Sequence, residues 1–236
     1  MLKEMYHGEE KKELDNQETN TAMVSGTVES EMQFSHEVYG EGFYSFNISV
    51  PRLSEACDTI PVTVSERLLA PDKLKIGDKV VIVGQFRSYN NYSETGSKLI
   101  LTLFAREISF GDTEIHTPNE ITLTGFICKP VVYRHTPFGR EIADILLAVN
   151  RSYNKSDYIP CIAWGRNARF CQNLDVGSKL RLTGRIQSRE YKKRISDDEF
   201  ITKTAYEVSI VKLEECDDIP TISTTAPFKR LSARHT

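Results

Sequence analysis

Short stretches in which apolar and polar residues alternate run through most of the chain, and they predict β-strands. The clearest example lies within residues 157–169. Alternate side chains of an extended strand point to opposite faces. One face therefore has Ile159, Cys161 and Ala163, and the other has Tyr158, Pro160, Ile162 and Trp164. The first face suits the interior of a small barrel, and the aromatic face is either buried packing or an exposed stacking surface.

The chain repeats itself with a period of about 100 residues. Residues 24–28 match residues 123–127 at an offset of 99, and residues 74–80 match residues 174–180 at an offset of 100. In the same register, Gly84 matches Gly184 and Ser88 matches Ser188. Two blocks that stay in step apart from a one-residue indel indicate a duplicated domain.

Each copy is predicted to form five β-strands. In the second copy they cover residues 121–129, 142–149, 158–164, 179–191 and 200–213, and residues 166–175 are long enough for a short helix. We therefore predict an all-β fold of two tandem five-stranded oligonucleotide-binding (OB) barrels, each with a short helix between strands 3 and 4. A small β-barrel without a ligand would have the same pattern.

The repeat also sets the expected boundaries of the domains. We expect a disordered arm at residues 1–20, a first barrel at 21–112, a linker at 113–118, a second barrel at 119–213 and a flexible tail at 214–236. Glycines recur in the first strand (Gly26, Gly125) and in the fourth strand (Gly84, Gly184). Glycine at such positions predicts sharp bends of a small barrel, where a Cβ atom would clash.

Composition excludes some classes of protein. With 39% hydrophobic and 27% charged residues, the chain is typical of a globular protein, and no apolar run approaches the roughly 20 residues that a membrane span needs. The polar start lacks the apolar core of a signal peptide, so we expect a cytoplasmic location. The net charge is −3, but residues 119–215 have 16 basic and 12 acidic residues. The second copy is therefore basic, while the first copy is acidic.

The sequence offers little for catalysis. Its five cysteines are scattered and include no Cys-x-x-Cys pair, so we expect reduced structural thiols and no metal site. Neither a Gly-rich phosphate loop nor a recognisable arrangement of nucleophile and base is present. We therefore expect a protein that is not an enzyme and needs no cofactor.

Several runs of the second copy resemble the bacterial single-stranded DNA-binding protein (SSB) family. They are residues 119–125, 129–130, 133–139, 148–151, 159–165, 177–178 and 184–189, which include Tyr-Arg-His-Thr-Pro-Phe-Gly and Ile-Pro-Cys-Ile-Ala-Trp-Gly. The resemblance implies an OB fold that wraps single-stranded DNA in replication, recombination and repair, without sequence readout or catalysis. The implied stacking aromatics are Tyr158, Trp164 and Tyr191, with Tyr153 near a fourth. Basic positions expected along the groove are Arg134, Arg140, Arg151, Arg166, Arg185, Arg189, Lys192, Lys193 and Arg194.

The first copy departs from this pattern, because Thr59 and Ser65 stand where the second copy has Tyr158 and Trp164. We expect the first copy to bind DNA weakly, or to serve in oligomerisation or partner binding, although Tyr89 and Tyr92 remain available. Since the family works with four OB folds, the resemblance implies a homodimer of this two-barrel chain.

The tail is a second departure from the family. Asp217, Asp218, Ile219 and Pro220 are similar to the acidic tip through which the family recruits replication and repair proteins, but 16 residues follow them here. A polar disordered end is the alternative interpretation. For the whole chain, the alternatives to DNA binding are a primosome-like accessory or protein-interaction module with weak DNA binding, and an RNA chaperone.

Overall fold

Twelve strands dominate the part of the chain that the structure describes. The computed structural model describes residues 19–93, 96–111, 118–152, 154–194 and 200–216, without the side chains of residues 91–93, 96–98, 193 and 194. The first copy has β1 (Asn20–Val28), β2 (Gln33–Val38), β3 (Glu41–Pro51), β4 (Cys57–Ser65), β5 (Lys79–Ser93) and β6 (Gly96–Phe110). The second copy has β7 (Asn119–Ile127), β8 (Val132–His135), β9 (Glu141–Arg151), β10 (Lys155–Trp164), β11 (Lys179–Arg194) and β12 (Phe200–Glu215). The predicted all-β fold is confirmed.

In each copy five strands pair into a closed ring. β1 pairs with β3, β3 with β4, β4 with β6, β6 with β5 and β5 with β1, and only the β4–β6 pairing is parallel. The second copy closes through the same sequence of pairings, with β10 parallel to β12. This order is that of an OB barrel.

The structure differs from the prediction in having a sixth strand in each copy. β2 and β8 form hairpins with β3 and β9 at the outside of the barrels. In the first copy Tyr39 and Gly40, with φ of 51° and 78°, form the two-residue turn of the hairpin. Both central residues have positive φ, as in the type I′ turns that match the twist of paired strands. These short, exposed strands lack a clear apolar alternation, which is why the pattern did not predict them.

The helix predicted between strands 3 and 4 forms only in the second copy. There α1 covers Arg166–Cys171, whereas the first copy has a 3-10 helix of three residues, Pro71–Lys73. Pro71 has no backbone N–H to donate within a helix, and Ala70 before it is extended, with ψ of 141°. Pro71 at the first helical position therefore fixes where this short helix begins.

The predicted boundaries also shift slightly. Asn20, expected in the disordered arm, begins β1 and is buried, and β12 continues to Glu215, beyond the predicted end at residue 213. The side-chain amide of Asn20 bonds the backbone N–H and C=O of Phe86 at 3.0 and 2.8 Å, which makes it part of the barrel. Residues 1–18, 112–117 and 217–236, including most of the predicted linker and the acidic tail motif, lie outside the described residues.

The four glycines expected at the bends of the barrels lie where a neighbouring strand approaches closely. A Cβ atom on Gly26 would lie 2.6 Å from the carbonyl oxygen of Ser49, and one on Gly125 would lie 2.5 Å from that of Ala148. Gly84 and Gly184 would meet carbonyl oxygens in the same way, and each lies at a register shift in its strand pair. The predicted role of these glycines in barrel closure is confirmed.

The two barrels form one continuous sheet because their first strands pair with each other. β1 and β7 are antiparallel, with Asn20 opposite Leu123 and Val24 opposite Asn119. Ala22 pairs with Ile121, its own counterpart at the repeat offset of 99, so an approximate two-fold axis passes through this pair. The resulting sheet has the order β2-β3-β4-β6-β5-β1-β7-β11-β12-β10-β9-β8.

Two reciprocal side-chain contacts reinforce this junction. The buried carboxylate of Asp58 accepts hydrogen bonds from the backbone N–H of Ser188 at 2.7 Å and from the Arg52 guanidinium. The Ser188 hydroxyl lies 3.1 Å from the Thr59 backbone N–H, which donates to it. We call this set the Asp58 contact.

The second copy contributes the same set to the other side of the axis, which we call the Asp157 contact. Asp157 accepts from the Ser88 backbone N–H at 2.8 Å and lies 3.5 Å from Arg151. The Ser88 hydroxyl accepts from the Tyr158 backbone N–H at 2.7 Å. The residues of the two contacts are matched by the internal repeat, so the duplicated sequence specifies a symmetric junction.

We predict that Asp58→Ala lowers the free energy of unfolding by about 3–5 kcal/mol, because it leaves Arg52 and the Ser188 N–H without their buried anion. Urea denaturation of the full chain measures this value, and a double-mutant cycle with Ser188→Ala measures the coupling of Asp58 to the Ser188 hydroxyl, which donates to it at 3.3 Å. Asp72→Ala is the control, since Asp72 forms only an exposed ion pair with Lys73 at 3.8 Å, worth about 0–1 kcal/mol. Equal losses in the two variants would contradict the importance of the Asp58 contact.

Candidate nucleic-acid interface

The outward side chains of β9, β10, β12 and β11 form one surface on the second barrel, which we call the outer face. The strand register sets its rows. One row has Asp144, Ile162, Ser209 and Arg185, and the next has Leu146, Pro160, Glu207 and Gln187. The opposite side chains of β10, including Ile159 and Ala163, are fully buried in the barrel. The predicted alternation of β10 between a core side and an outer side is confirmed at Tyr158, Pro160 and Trp164, whereas Ile162 on the outer side is buried, with 6% exposed.

Three of the predicted stacking aromatics lie half exposed on this outer face. Tyr158 is 44% exposed, Trp164 38% and Tyr191 39%. Tyr158 and Trp164 are six residues apart on β10, which corresponds to roughly 20 Å along an extended strand. Tyr191 belongs to the outward series of β11. The interpretation of Tyr158 and Trp164 as buried core aromatics is wrong, because both rings remain accessible.

The central part of the outer face is basic on the β11 side. Arg185 and Arg189 alternate along β11 with the buried Ile186 and point outward with Tyr191. One acidic residue interrupts them: Glu207 on β12 accepts a hydrogen bond from Gln187 at 2.6 Å and lies 4.0 Å from Arg189. Neither Gln187 nor Glu207 was singled out from the sequence, because only the strand register places them between the arginines and β10.

Arg134 and Arg140 lie at the β8 edge of this surface. Arg134 bonds Asp144 at 2.8 Å, and both side chains are exposed. Arg140 ends the turn between β8 and β9, where its backbone N–H donates to the Thr136 hydroxyl at 3.0 Å. The turn includes Gly139 at φ of 76°. Both arginines are therefore available at the rim, with Arg134 already beside a carboxylate.

Arg151 and Arg166 have other surroundings. Arg151 belongs to the Asp157 contact, where its side chain is 27% exposed. Arg166 begins α1, beyond the Trp164 end of β10, and lines a separate groove with Arg181 and Lys212. Lys192 is exposed on β11 but alternates with Tyr191 and so points to the other side of the strand. The side chains of Tyr153, Lys193 and Arg194 lie outside the described residues.

The first copy keeps more aromatic surface than its β4 strand predicts. Thr59 and Ser65 do replace Tyr158 and Trp164, but Phe43 on β3 and Phe104 on β6 lie on the corresponding face, with ring centroids 5.9 Å apart. The replacement of the rings by Thr59 and Ser65 is therefore confined to β4, and the strands on either side of it have aromatic side chains. The alternation of Leu101, Leu103 and Ala105 as buried residues of β6 was the sequence signal that places Phe104 outward.

The cysteines carry free thiols in all five positions. Burial raises the pKa of the Cys161 thiol strongly and that of Cys171 to about 11, so both remain protonated at neutral pH. Within the described residues no cluster of His, Cys, Asp and Glu could hold a metal ion. None of the helices in that part of the chain has the length and apolar character needed to cross a membrane.

Comparison with solved structures agrees with the fold. The wild-type single-stranded DNA binding protein from Thermus aquaticus superposes with a TM-score of 0.63 and 19% identity over 92% of this chain and 96% of that chain. A deletion mutant of the same protein gives a TM-score of 0.65 and 20% identity, covering 86% of this chain and 97% of the other. At this level of identity the likeness concerns the fold.

Sequence comparison identifies relatives of the second copy. The model of the "Single-strand binding protein family" matches residues 118–214. Single-stranded DNA-binding protein A of Bacillus subtilis is 33% identical in an alignment of 96 residues, which covers 38% of this chain and 56% of that protein. Single-stranded DNA-binding protein 1 of Streptococcus pyogenes is 31% identical in an alignment of 115 residues, which covers 46% of this chain and 88% of that protein. The chain thus spans little more than half of the Bacillus relative but most of the Streptococcus relative, and it belongs to the single-strand binding protein family.

Proposed function

We propose that this chain binds single-stranded DNA without sequence preference through the outer face of its second barrel. The observation that carries the proposal is the set of three rings, Tyr158, Trp164 and Tyr191, each about two-fifths exposed on one continuous sheet surface beside Arg185 and Arg189. Membership of the single-strand binding protein family and the names of its relatives support it.

Binding on such a surface combines two physical terms. Stacking of a base on an aromatic ring contributes roughly 1–3 kcal/mol and depends little on the identity of the base. Arginines along the strand displace counterions from phosphates, which adds affinity that falls as salt rises. The ion pairs Arg134–Asp144 and Arg189–Glu207 reduce this salt-dependent contribution, because a carboxylate already offsets the charge of each arginine. Affinity that tolerates any base sequence therefore comes mainly from the rings, and Arg185 and its neighbours contact the phosphate backbone of the DNA.

We propose that, in the cell, the chain coats exposed single strands during replication, recombination and repair. A bound strand has its bases stacked on protein rings, so it cannot form hairpins and its backbone is shielded from nucleases. Arg151, one of the predicted basic contacts, contributes to this function indirectly, since its ion pair with the buried Asp157 supports the strand that carries Tyr158.

Tyr158→Ala is expected to weaken binding of oligothymidylate by roughly 1–3 kcal/mol, because one stacking platform is lost. Since Trp164 is the only tryptophan, quenching of its fluorescence reports binding directly in this variant. Phe170→Ala is the matched control: Phe170 is also 44% exposed but lies on α1, outside the outer face. Absence of quenching in the unmodified protein at low salt would refute the proposal and favour an interaction module. If both substitutions weakened DNA binding equally, the contribution of an exposed ring would not depend on its place on the outer face.

Arg185→Gln introduces the residue type found at the equivalent position of the first copy, Gln85, and therefore suits the barrel. We expect it to reduce the slope of log K against log salt by about 0.7 if Arg185 neutralises one phosphate. Titrations at four or more salt concentrations give the slope. Tyr158→Ala serves as the comparison, because loss of a neutral ring lowers the affinity but leaves the slope unchanged; an unchanged slope for Arg185→Gln would remove Arg185 from the backbone contacts.

We also propose that two chains associate into a homodimer with four OB barrels, as the family resemblance implies. Within one chain the β1–β7 pairing already joins two barrels, and β2 and β8 end the twelve-stranded sheet. Sedimentation equilibrium of the full chain should give about twice the 26.9 kDa of one chain. A mass near 26.9 kDa across the micromolar range would contradict the dimer without affecting the proposal on DNA binding.

A further inference from the structure

The two short hairpins at the ends of the sheet have tips with the same sequence pattern but opposite charge. The first hairpin covers residues 33–45 of β2 and β3, and the second hairpin covers residues 132–144 of β8 and β9. The residues of the tips that match at the repeat offset of 99 are Val38-Tyr39-Gly40-Glu41 and Pro137-Phe138-Gly139-Arg140. Each tip thus has an apolar residue, an aromatic ring, a glycine and a charged residue in the same order.

The rings at both tips are in full contact with solvent. Tyr39 is 103% exposed and Phe138 is 93% exposed, about twice as much as the stacking rings of the outer face. Each ring precedes a glycine of positive φ, at 78° for Gly40 and 76° for Gly139. Neither ring therefore contributes to the packing of its own barrel, yet both copies of the repeat have one. Exposed apolar surface of this kind indicates a contact outside the chain.

The charges at the two tips are complementary. Residues 37–41 include two glutamates and no Lys or Arg, whereas residues 134–140 include two arginines and no acidic residue. One charge of each tip is paired within its own barrel. The other two, Glu37 and Arg140, are exposed, and among the described residues neither forms an ion pair. Each tip thus has an unpaired charge close to an unburied ring.

The positions of the hairpins suit a contact between chains. The approximate two-fold axis relates the hairpins, so they lie on opposite sides of it, one on each barrel. Because β2 and β8 end the twelve-stranded sheet, no other described strand pairs with their outer edges. A contact between the first hairpin of one chain and the second hairpin of the next joins unlike surfaces and repeats from chain to chain. Opposite charges favour this contact over one between two like hairpins.

We propose that the first hairpin of one chain contacts the second hairpin of a neighbouring chain on the same single strand. Tyr39 packs against Phe138 of the neighbour, and Glu37 lies near its Arg140. This inference rests on the proposed function, because the DNA brings the chains together. The second hairpin borders the outer face, so the contact forms beside a bound strand.

The contact is weak without DNA. Two hairpin tips bury less than the roughly 1,200 Å² that a stable interface needs. Chains on one strand have an effective concentration on the order of millimolar, at which a weak contact is occupied. An aromatic pair raises affinity roughly two- to tenfold, and an exposed ion pair raises it up to about fivefold. We therefore expect adjacent binding to be favoured over separate binding by about tenfold.

The test compares two lengths of oligothymidylate. Poly(dT) titration gives the number of nucleotides that each bound chain or homodimer covers, and oligonucleotides of one and two such lengths then hold one and two copies. Quenching of Trp164, the only tryptophan, gives the affinity of each binding step. The affinity of the second step divided by that of the first is the adjacency ratio. Changes in the DNA contacts of a single copy cancel in this ratio.

Tyr39→Asn and Phe138→Asn should each lower the adjacency ratio at least about threefold, because one ring of the pair is lost. Binding of the short oligonucleotide should not change. Asparagine suits residue 39, whose φ of 51° is one that asparagine tolerates. Phe170→Asn is the matched control, because Phe170 is 44% exposed on α1, away from both tips. Its adjacency ratio should equal that of the unmodified protein, and thermal unfolding of each variant confirms that its fold is retained.

Exchange of the two charges tests which hairpins meet. Glu37→Lys and Arg140→Glu each bring like charges together, so each should lower the adjacency ratio. A chain with both substitutions has opposite charges again wherever unlike hairpins meet. Its ratio should therefore return to within about twofold of that of the unmodified protein.

The outcomes separate this inference from the proposed function. Equal affinity for both binding steps in the unmodified protein, or an unchanged ratio in Tyr39→Asn and Phe138→Asn, would overturn the contact and leave DNA binding intact. An effect of Tyr39→Asn alone would indicate that like hairpins meet, which contradicts the proposal, as would a doubly substituted chain that does not recover. Absence of binding by the unmodified protein would refute the proposed function, and the contact on DNA with it.

Discussion

Pairing of β1 with β7 is the interaction on which the arrangement of the whole molecule depends. Within its own barrel β1 pairs with β3 only at Thr27 and Val28, so the earlier part of the strand would leave backbone groups unpaired on that side, and exposed strand edges seek partners. Here the two first strands satisfy each other, with Ala22 opposite Ile121 at the centre. This single register relates the barrels by an approximate two-fold axis and brings β4 against β11 and β10 against β5.

The symmetric junction explains why some polar residues of the repeat are buried. Asp58 and Asp157 are almost fully inaccessible, yet each accepts a hydrogen bond from a serine backbone N–H and lies beside an arginine that compensates its charge. A buried carboxylate is tolerated only with such partners. Arg52 and Arg151 therefore stabilise the junction, whereas Arg185 and Arg189 on β11 remain available at the surface.

The two barrels have diverged where the fold permits it. Inward positions of β4 and β10 stay apolar in both copies, because close packing inside a small barrel allows little change. Outward positions are free of that constraint, so Trp164 in the second copy corresponds to Ser65 in the first, and Ser209 corresponds to Phe104. One scaffold thus displays rings on different strands.

The alternation of residues along 157–164 and the repeat of about 100 residues were sufficient to predict two OB barrels, the inward residues of β10 and a shared aromatic side with Tyr158 and Trp164, whereas the exposure of these two rings was implied only by the family resemblance. These features follow from local geometry, because side-chain direction in a strand has a fixed period of two. The short hairpin strands and the effect of Pro71 were missed, since few local signals mark them. The β1–β7 register, the partners of Asp58 and Asp157 and the place of Phe104 beside Phe43 were decided by the tertiary structure alone. They depend on which distant strands become neighbours, and the pattern within any single strand contains no information about that choice.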